Sequence, residues 1–433
     1  MSREMKYSGN PWIGNIPCSW DIARIKTIFK ERTELSEDGS ETLLSVSEYY
    51  GVANRSERVS EGEFVSRAET LVGYKKCYVG DLVSNIMLAW KGSMGITEID
   101  GIVSPAYCVY EPSPRIYPRY YHYLFRTSLY TSIFRLYSKG IIDSRLRLYS
   151  PYFFDISAII PSLSEQQKIA YFLDRKCAEI DEMIALQEKI VEELKAYKQS
   201  VITEAVTKGL NPDVPMKDSE VVFFNRIPLH WKETKTLRLL KMPITDGPHE
   251  TPENVENGIP FISADAVSDG YINFDNKWGL ISKEYYEECC KKYTPQREDI
   301  YMIKSGASTG RTAIVETDEI FTIWSPLAVF RANQEMILPY YLLYVLKSDG
   351  YQKQVENKWS YGTQQNIGMR TLEKLIICYP SLEEQRCIVD YLNNQCSKID
   401  SLINIKLSKI DSLKEYKKSI IYEYVTGKKE VIE

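Results

Sequence analysis

The side chains best suited to specific recognition are concentrated in one short polar run. Thr363, Gln364, Gln365 and Asn366 follow each other directly, and Gly362 precedes them. An asparagine or glutamine amide carries a donor and an acceptor together, so it can pair with the edge of a base through two hydrogen bonds. A glycine beside such a run lets another backbone approach closely. The chemistry available here is recognition by hydrogen bonding.

Motifs for catalysis are incomplete. A DNA methyltransferase carries an Asn/Asp-Pro-Pro-aromatic motif and a glycine-rich cofactor loop, and the strings NPW and SPAY match only part of the first. The string SGASTGRT, from Ser305, lacks the lysine and one residue of the spacing of a phosphate-binding loop. Asp299, Glu316 and Lys304 have the composition of a nuclease centre, but ordinary charges at strand edges explain them better. We therefore expect a chain that is not an enzyme.

The composition is that of an ordinary cytosolic protein. Hydrophobic residues make up 44% and charged residues 26% of the 433 positions. The nine cysteines form no C-x-x-C pair and there are three histidines, so we expect neither a zinc site nor a disulfide framework. The start, MSREMKYSGN, lacks the apolar core of a signal peptide, and no apolar run reaches membrane-spanning length. We predict a cytoplasmic location, without membrane contact.

The net charge of −5 argues against a protein that holds nucleic acid by bulk positive charge alone. The 32 tyrosines supply hydroxyl groups that can hold phosphates without a positive charge. If the chain does bind nucleic acid, a partner must supply part of the electrostatic attraction. We therefore expect the isolated chain to bind it poorly.

One predicted helical segment occurs twice in the sequence. Residues 161–207 align on residues 380–426 without a gap, and each copy opens with proline and a Ser-x-x-Glu capping box, from Ser162 and from Ser381. Gly209 and Gly427 are placed to end the two helices. At about 1.5 Å per residue each helix is a rod roughly 65 Å long.

Both copies carry the same apolar seam, with spacings of four and three that are typical of a coiled coil. Its members are Leu173, Cys177, Ile180, Ile184, Val191, Leu194 and Val201, and in the second copy Leu392, Cys396, Ile399, Ile403, Ile410, Leu413 and Ile420. Gln187 and Lys406 interrupt the seam at one position, and Lys198 and Lys417 at another. The seam predicts that each rod packs against the other. The simpler alternative is a helical hairpin that only joins domains.

Identities outside the seam indicate more than packing, because a core requires only apolar residues. These apparently exposed identities predict a partner-binding surface that is presented twice. Its residues are Glu165, Gln166, Asp181, Lys195 and Tyr197, and in the second copy Glu384, Gln385, Asp400, Lys414 and Tyr416.

The segments before the helices share landmarks as well. IPCSW, from Ile16, corresponds to IPLHW, from Ile227, and PRYYHYLF corresponds to PYYLLYVL. Strand-like alternation occurs in TLLSVSEYYGV, GDLVSNIMLAWKGSMG, GIPFISADAV and EDIYMIKSGASTGRTAIVE. The sequence of each half therefore predicts an α/β domain followed by one long helix, with Trp20 in the core of the first domain and Trp231 in the core of the second. We divide the chain into a first domain (1–157), a helical region (158–212), a second domain (213–376) and a second helical region (377–433).

The doubled Pro-Ser-Leu-x-Glu-Gln pattern leading into a long helix, each time after a variable α/β domain, resembles the specificity subunits of type I restriction–modification enzymes. LLSVSEYYGV, SPAY and DGPHETP are similar to sequence in their target-recognition domains, and the resemblance covers essentially the whole chain. It implies an α+β fold with two similar target-recognition domains separated by two long helices, packed as an antiparallel coiled coil with a pseudo-two-fold internal repeat. In that arrangement Cys177 and Cys396 lie near opposite ends of the rod.

The same resemblance implies a function and a set of partners. Each domain would read half of a bipartite, asymmetric site in double-stranded DNA, and the helical regions would dock two methyltransferase subunits and also recruit restriction subunits. No cofactor is expected in this chain; S-adenosylmethionine would belong to the methyltransferase, and ATP and magnesium to a restriction subunit. A self-contained DNA methyltransferase is the alternative. A DNA-mimicking antirestriction protein is a weaker one, because acids and bases are mixed along the helices.

For DNA contact we favour polar, basic and aromatic residues of the domain loops. In the first domain these are Ser45, Ser47, Tyr49, Tyr50, Asn85, Trp90, Lys91, Ser93, Arg145 and Arg147. In the second they are Asp246, His249, Lys304, Ser305, Ser308, Thr309, Arg311, Trp359, Thr363, Gln364, Gln365 and Asn366. A solvated loop side chain is the alternative for each of them, and His249 could equally be a turn residue.

Overall fold

The computed structural model describes residues 3–57, 70–361 and 365–432, which form two compact units. The first unit consists of Met1–Gln187 with Ser408–Glu433, and the second of Glu188–Leu407. The division passes through both long helices, so each unit contains one domain and half of each helix. The four segments predicted from sequence are defined differently from these two units, and they remain a prediction.

The first unit is built mainly from short antiparallel strands. Its strands are β1 Met5–Tyr7, β2 Asn15–Pro17, β3 Asp21–Arg24, β4 Phe29–Arg32, β5 Leu44–Ser47, β6 Gly51–Asn54, β7 Lys75–Cys77, β8 Leu82–Asn85, β9 Met94–Ile96, β10 Gly101–Val103, β11 Tyr107–Pro112 and β12 Ser157–Ile160. Its helices are α1 Pro118–Leu124, α2 Ser128–Tyr137, α3 Ser150–Asp155 and the first half of α4 Leu163–Lys208. The largest sheet has the order β4-β11-β8-β9.

The second unit repeats this plan with different sheets. Its strands are β13 Met216–Asp218, β14 Arg226–Pro228, β15 Lys232–Lys235, β16 Thr245–Asp246, β17 Ile259–Ile262, β18 Gly270–Tyr271, β19 Gly279–Ile281, β20 Ile300–Ile303, β21 Thr312–Ile314, β22 Thr322–Ile323, β23 Leu327–Phe330, β24 Ser360–Tyr361, β25 Gln365–Asn366 and β26 Ile376–Tyr379. Its helices are α5 Lys283–Cys290, α6 Pro339–Lys347, α7 Asp349–Glu356, α8 Met369–Leu372 and the first part of α9 Leu382–Val425. The main sheet, β16-β23-β20-β21-β18, includes one parallel pair, β18–β21.

The internal repeat extends to strand pairing. In the first unit β12, which leads into α4, pairs antiparallel with β3; in the second β26, which leads into α9, pairs antiparallel with β15. The strands β3 and β15 directly follow Trp20 and Trp231, and both tryptophan rings are buried in their cores. The prediction that the two tryptophans are core residues is confirmed.

The strand predictions are confirmed in position but not in pattern. TLLSVSEYYGV forms the hairpin β5–β6, and GDLVSNIMLAWKGSMG contains β8 and β9. GIPFISADAV contains β17, and β20 and β21 form an antiparallel pair. Alternation between apolar and polar faces is wrong for β8 and β20, because every residue of these strands is buried. Strands covered on both faces do not have to alternate.

The long helices begin and end as their caps predict. Ser162 Oγ accepts the Glu165 amide at 3.3 Å, and Ser381 Oγ accepts the Glu384 amide at 3.4 Å. Gly209 follows α4 with φ of +75°, and Gly427 lies just beyond α9 with φ of +72°, a region in which glycine has no steric cost.

The two helices pack antiparallel, as predicted. In the first unit Lys417, late in α9, pairs with Asp181, early in α4, at 2.6 Å. In the second unit Lys198, late in α4, pairs with Asp400, early in α9, at 2.8 Å. The two lysines that interrupt the seam therefore form equivalent ion pairs across the helix interface.

The seam residues join the domain cores. Leu173 and Cys177 belong to the core of the first unit, and Leu392 and Cys396 to that of the second. Burial raises the pKa of both thiols, which lowers their reactivity. Across the described ranges, no helix has both the length and the apolar character that a membrane crossing requires.

Candidate nucleic-acid interface

Each domain is joined to its helices by an equivalent constellation, which we call the junction: Trp20, Glu165 and Gly427 in the first unit, and Trp231, Glu384 and Gly209 in the second. Each indole Nε1 donates to its glutamate at 3.1 Å. A Cβ on either glycine would crowd the indole, at 2.9 Å from Trp20 and 3.3 Å from Trp231. The end of one helix, the start of the other and the domain therefore meet at one tryptophan.

The glutamates of the junctions have cationic or ionisable neighbours. Arg3 pairs with Glu165, and His230 Nε2 lies 2.9 Å from Glu384 Oε2. Burial by itself would raise the pKa of Glu165, but the hydrogen bonds from Trp20 and Arg3 outweigh it, so the pKa lies below its ordinary value. The charged carboxylate of Glu165 is thus stabilised by hydrogen bonds from Trp20 and Arg3 of its own domain.

Gln166 and Gln385 are buried completely, so the inference that they are exposed identities is wrong. Gln166 Oε1 accepts the Tyr117 amide at 2.7 Å, and Gln385 Oε1 accepts the Leu338 amide at 2.8 Å. Each glutamine amide also donates to the carbonyl of the proline that opens its helical segment, Pro161 or Pro380. Intramolecular bonding to the domain explains why both copies retain these glutamines.

The remaining predicted partner-binding residues are more accessible. Asp181 and Asp400 bind the seam lysines, and Lys195 lies 2.8 Å from Glu192 on its own helix. Lys195, Tyr197, Lys414 and Tyr416 are exposed. Their role in partner binding stays a prediction.

Six exposed apolar or aromatic side chains form a doubled set on the helices, which we call the helix patches. In the first unit the patch is Met183 and Leu186 of α4 with Tyr416 of α9; in the second it is Leu402 and Ile405 of α9 with Tyr197 of α4. The members correspond position by position in the aligned repeat. Of these six residues, only the two tyrosines were predicted from the sequence. The available signal for the other four was an apolar residue at equivalent positions of both copies, outside the seam.

In the first unit the β5–β6 hairpin carries four of the DNA candidates. Ser45 Oγ and Tyr50 Oη are 3.1 Å apart, Ser47 lies at the end of β5, and the Tyr49 side chain at the tip is 84% exposed. Arg126, which sequence reasoning missed, donates to the Tyr49 carbonyl at 2.8 Å and so holds the tip.

Two candidates in the adjoining turn are structural. Asn85 is buried and its Oδ1 accepts the Met87 amide at 3.1 Å, while buried Ser93 donates to the Val46 carbonyl at 3.1 Å. The prediction that Asn85 and Ser93 contact DNA conflicts with this burial, because both residues are almost completely enclosed. Asn85 instead stabilises the β8–β9 turn from within, and Ser93 fixes that turn against the hairpin.

The same turn presents a cationic aromatic surface. Lys91 and Arg135 lie 5.2 and 4.8 Å from the centre of the Trp90 ring, within cation–π range. Arg145 is exposed, whereas Arg147 donates to the Leu146 carbonyl at 2.8 Å and is half-buried. Arg135, on α2, was missed because nothing in its helical sequence marks it as a neighbour of Trp90.

In the second unit Asp246 is a buried anchor, which conflicts with its prediction as a base contact. It forms ion pairs with Lys292 and, at 3.0 Å, with Lys304, and His249 Nε2 lies 3.3 Å from its Oδ2. Burial would raise the pKa of Asp246, but the two lysines outweigh it and lower the pKa. The single negative charge of Asp246 is thus shared by two lysines, while His249 is exposed at the surface.

Two loops of the second unit meet beside β20. Ser305 forms a β-bridge with Asn366, and the Gly306 amide donates to the Gln365 carbonyl at 3.0 Å. Thr309 Oγ1 donates to the Gly306 carbonyl at 2.7 Å. Ser308 and Arg311 lie in the same turn, Arg311 exposed, whereas Trp359 is half-buried and packs against the core. The DNA contact of Trp359 stays a prediction. Thr363 and Gln364 lie outside the described residues.

The residues weighed as a nuclease centre do not converge. Asp299 pairs with Arg331 at 2.7 Å, Glu316 accepts from Tyr340 Oη at 2.9 Å, and Lys304 forms its ion pair with Asp246. Within the described ranges, no three histidine, cysteine or acidic side chains are arranged to hold a metal ion.

Known proteins of one kind match this chain. Residues 241–415 match the family model described as the type I restriction modification DNA specificity domain. The specificity subunit of the type I restriction enzyme EcoBI from Escherichia coli is 28% identical over 56% of this chain and 52% of its own length, so this match spans about half of that relative. The MjaVIII specificity subunit from Methanocaldococcus jannaschii is 25% identical over 80% of both chains.

Solved structures share the fold. A chain from a study of complex assembly and conformational transition of the type I R-M system superposes with a TM-score of 0.69 at 17% identity, covering 95% of this chain and 98% of its own. The HsdS subunit from Thermoanaerobacter tengcongensis gives a TM-score of 0.51 at 17% identity, with the same coverage. In its doubled helix, in its two domains and in these matches, the chain is similar to the specificity subunits of type I restriction–modification systems.

Proposed function

We propose that this chain reads a bipartite, asymmetric site in double-stranded DNA, one half-site with each domain. The observation that carries the proposal is the pair of equivalent units, in which the same junction occurs together with candidate loops of different sequence. The first domain offers Tyr49, Lys91 and Arg145 at its surface, and the second offers His249, Arg311 and Asn366. Two different loop sets on one repeated framework are suited to two different half-sites.

Specificity subunits are non-catalytic, so the reaction requires partners. We infer that two methyltransferase subunits dock on the helices, one at each helix patch, because a repeated surface suits two copies of one protein. S-adenosylmethionine would be held by the methyltransferase, and ATP and magnesium by a restriction subunit where one is present. Docked methyltransferases would also supply the positive charge that a chain of net charge −5 lacks.

The test is to express the full chain with its methyltransferase partner in a host and to sequence the methylated bases. We expect methylation at one interrupted, asymmetric motif, and none when either protein is expressed alone. The purified chain is then assayed with labelled S-adenosylmethionine and random-sequence duplex. Methyl transfer by the chain alone would replace this proposal with the self-contained methyltransferase.

A further inference from the structure

The loop of residues 139–147 in the first unit exposes an apolar tip. Its base is closed by two hydrogen bonds of 2.9 Å, from the Lys139 amide to the Arg147 carbonyl and from the Arg147 amide to the Lys139 carbonyl. At the tip the Ile141 side chain is 99% exposed and that of Ile142 is 54% exposed. Isoleucine is among the residue types most often buried, so a fully exposed one on a closed loop requires an explanation.

The backbone holds the tip outward. Gly140 has φ of +151°, and a Cβ there would lie 2.5 Å from the Arg145 carbonyl oxygen, so the chain crosses itself closely just before Ile141. Directly after the loop, Leu148 is buried and its amide donates to the Ile86 carbonyl at 2.9 Å. The isoleucine therefore projects from an anchored platform next to the β8–β9 turn.

The surroundings of the tip are cationic. Lys139, Arg145 and Arg147 lie on the loop itself, and Arg135 donates to Asp143 of the loop at 2.6 Å while it covers the Trp90 ring. The loop itself carries three cations and one acid, and the acid, Asp143, is paired with Arg135. An apolar tip on a loop of net positive charge is unfavourable for an apolar protein groove, because the charges would lose their hydration. It is favourable for a polyanion whose interior is apolar, and duplex DNA has phosphates outside and stacked bases inside.

We propose that Ile141 is a wedge that inserts at a base-pair step of the half-site bound by the first domain, while the surrounding cations hold the flanking phosphates. DNA-bending proteins use apolar side chains in this way, and the unstacking they cause is offset by wider contact with the duplex. The inference deepens the proposed DNA reading and rests on it. It adds one contact whose free energy depends on how easily the base-pair step unstacks.

The experiment uses the full chain assembled with its methyltransferase and the duplex selected by the wild-type complex from a random library. The variants are Ile141→Ala and Ile141→Leu, and the control is Leu136→Ala, an exposed apolar residue of α2 outside the loop. 2-Aminopurine is placed in turn at each position of the first half-site, and its fluorescence reports unstacking. Because Ile141 makes no buried contact, its replacement leaves the fold intact.

We expect one position to show raised fluorescence with wild type, with Ile141→Leu and with Leu136→Ala, and to lose it with Ile141→Ala. Ile141→Ala should weaken binding about tenfold with an unchanged dependence on salt, since no phosphate contact is removed. If no position is unstacked and Ile141→Ala binds as tightly as wild type, the wedge is wrong although DNA reading stands. If Ile141→Ala instead weakens methyltransferase association, the tip is a protein contact and the wedge is likewise wrong. Failure of the wild-type complex to select any duplex would overturn the proposed function itself.

Discussion

Glu165 and Glu384 are repeated identities whose role is visible only in three dimensions. Each backbone amide donates to the capping serine of its helix, and each carboxylate accepts the indole N–H of the tryptophan at its junction. From the sequence, Ser162 and Ser381 were assignable as caps and the tryptophans as core, because both assignments depend on local pattern. Gln166 was not, since its bond to Tyr117 joins two segments that no helical periodicity relates.

Replacing Glu165 with glutamine should destabilise the first unit by about 1–2 kcal/mol at pH 7, because a charged acceptor is lost from a partly buried site. The pKa of Glu165 is lowered in the folded state, so the stabilisation is present above the ordinary glutamate pKa and is lost as the pH falls through the folded value. The difference between Glu165→Gln and wild type should therefore shrink below about pH 4.5. Urea unfolding followed by circular dichroism at several pH values measures it.

Glu193→Gln is the matched control, because Glu193 lies on the same helix in an exposed pair with Lys189. Its unfolding midpoint should match that of wild type at every pH. An unchanged midpoint for Glu165→Gln, combined with weaker methyltransferase binding, would contradict the junction role and favour the partner-binding role predicted from sequence.

At the scale of elements, the helices combine an inner seam with an outer patch. The seam was predictable because its spacing repeats, and Lys198 and Lys417 are accommodated in it by ion pairs with Asp400 and Asp181. Apart from their tyrosines, the helix patches were not predicted, since an apolar residue outside a seam is ordinary on any helix. Complete burial of β8 and β20 was likewise hidden, because it depends on which elements cover each face.

Charge introduced into one helix patch should remove one methyltransferase subunit. Leu186→Asp affects the first unit and Ile405→Asp the second; each should weaken one of two binding steps by tenfold or more, as loss of a buried aliphatic side chain costs about 1.5–3 kcal/mol. Native mass spectrometry of the complex gives the stoichiometry. The double variant should retain neither subunit.

The matched control is Glu193→Ala, a change on the exposed surface of α4 outside the patches. It should leave the stoichiometry at two. Retention of both methyltransferases by the Leu186→Asp, Ile405→Asp double variant would exclude the helix patches as docking sites.

At the scale of the whole molecule, the first unit is discontinuous in sequence. Tyr120 Oη donates to the Val425 carbonyl at 2.7 Å, and Gly427 packs on Trp20, so the end of α9 completes the first domain. The doubled architecture itself was predictable from the repeat. The participation of residues 408–432 in the first unit required knowledge of which helix ends meet.

Exchanging the first domain should therefore give a fully stable first unit only when both parts of the unit are exchanged. Replacing residues 1–187 together with 408–433 by those of another specificity subunit should change one half-site of the methylated motif and leave the other intact. Sequencing of methylated bases measures the outcome. Replacement of 1–157 alone should yield the same new half-site with a less stable first unit, because the contacts to Val425 and Gly427 are mismatched. A change in both half-sites at once would contradict independent reading by two domains.

The discontinuity of the first unit also orders events on the ribosome. All residues of the second unit, 188–407, are synthesised before the segment that completes the first unit, which contains the end of α9. The domain translated first thus finishes folding last, and until then its surface for the end of α9, around Trp20 and Tyr120, is open. Nascent chains expose such surfaces to misassembly, so a ribosome stalled after residue 407 would have translated the whole second unit but only part of the first.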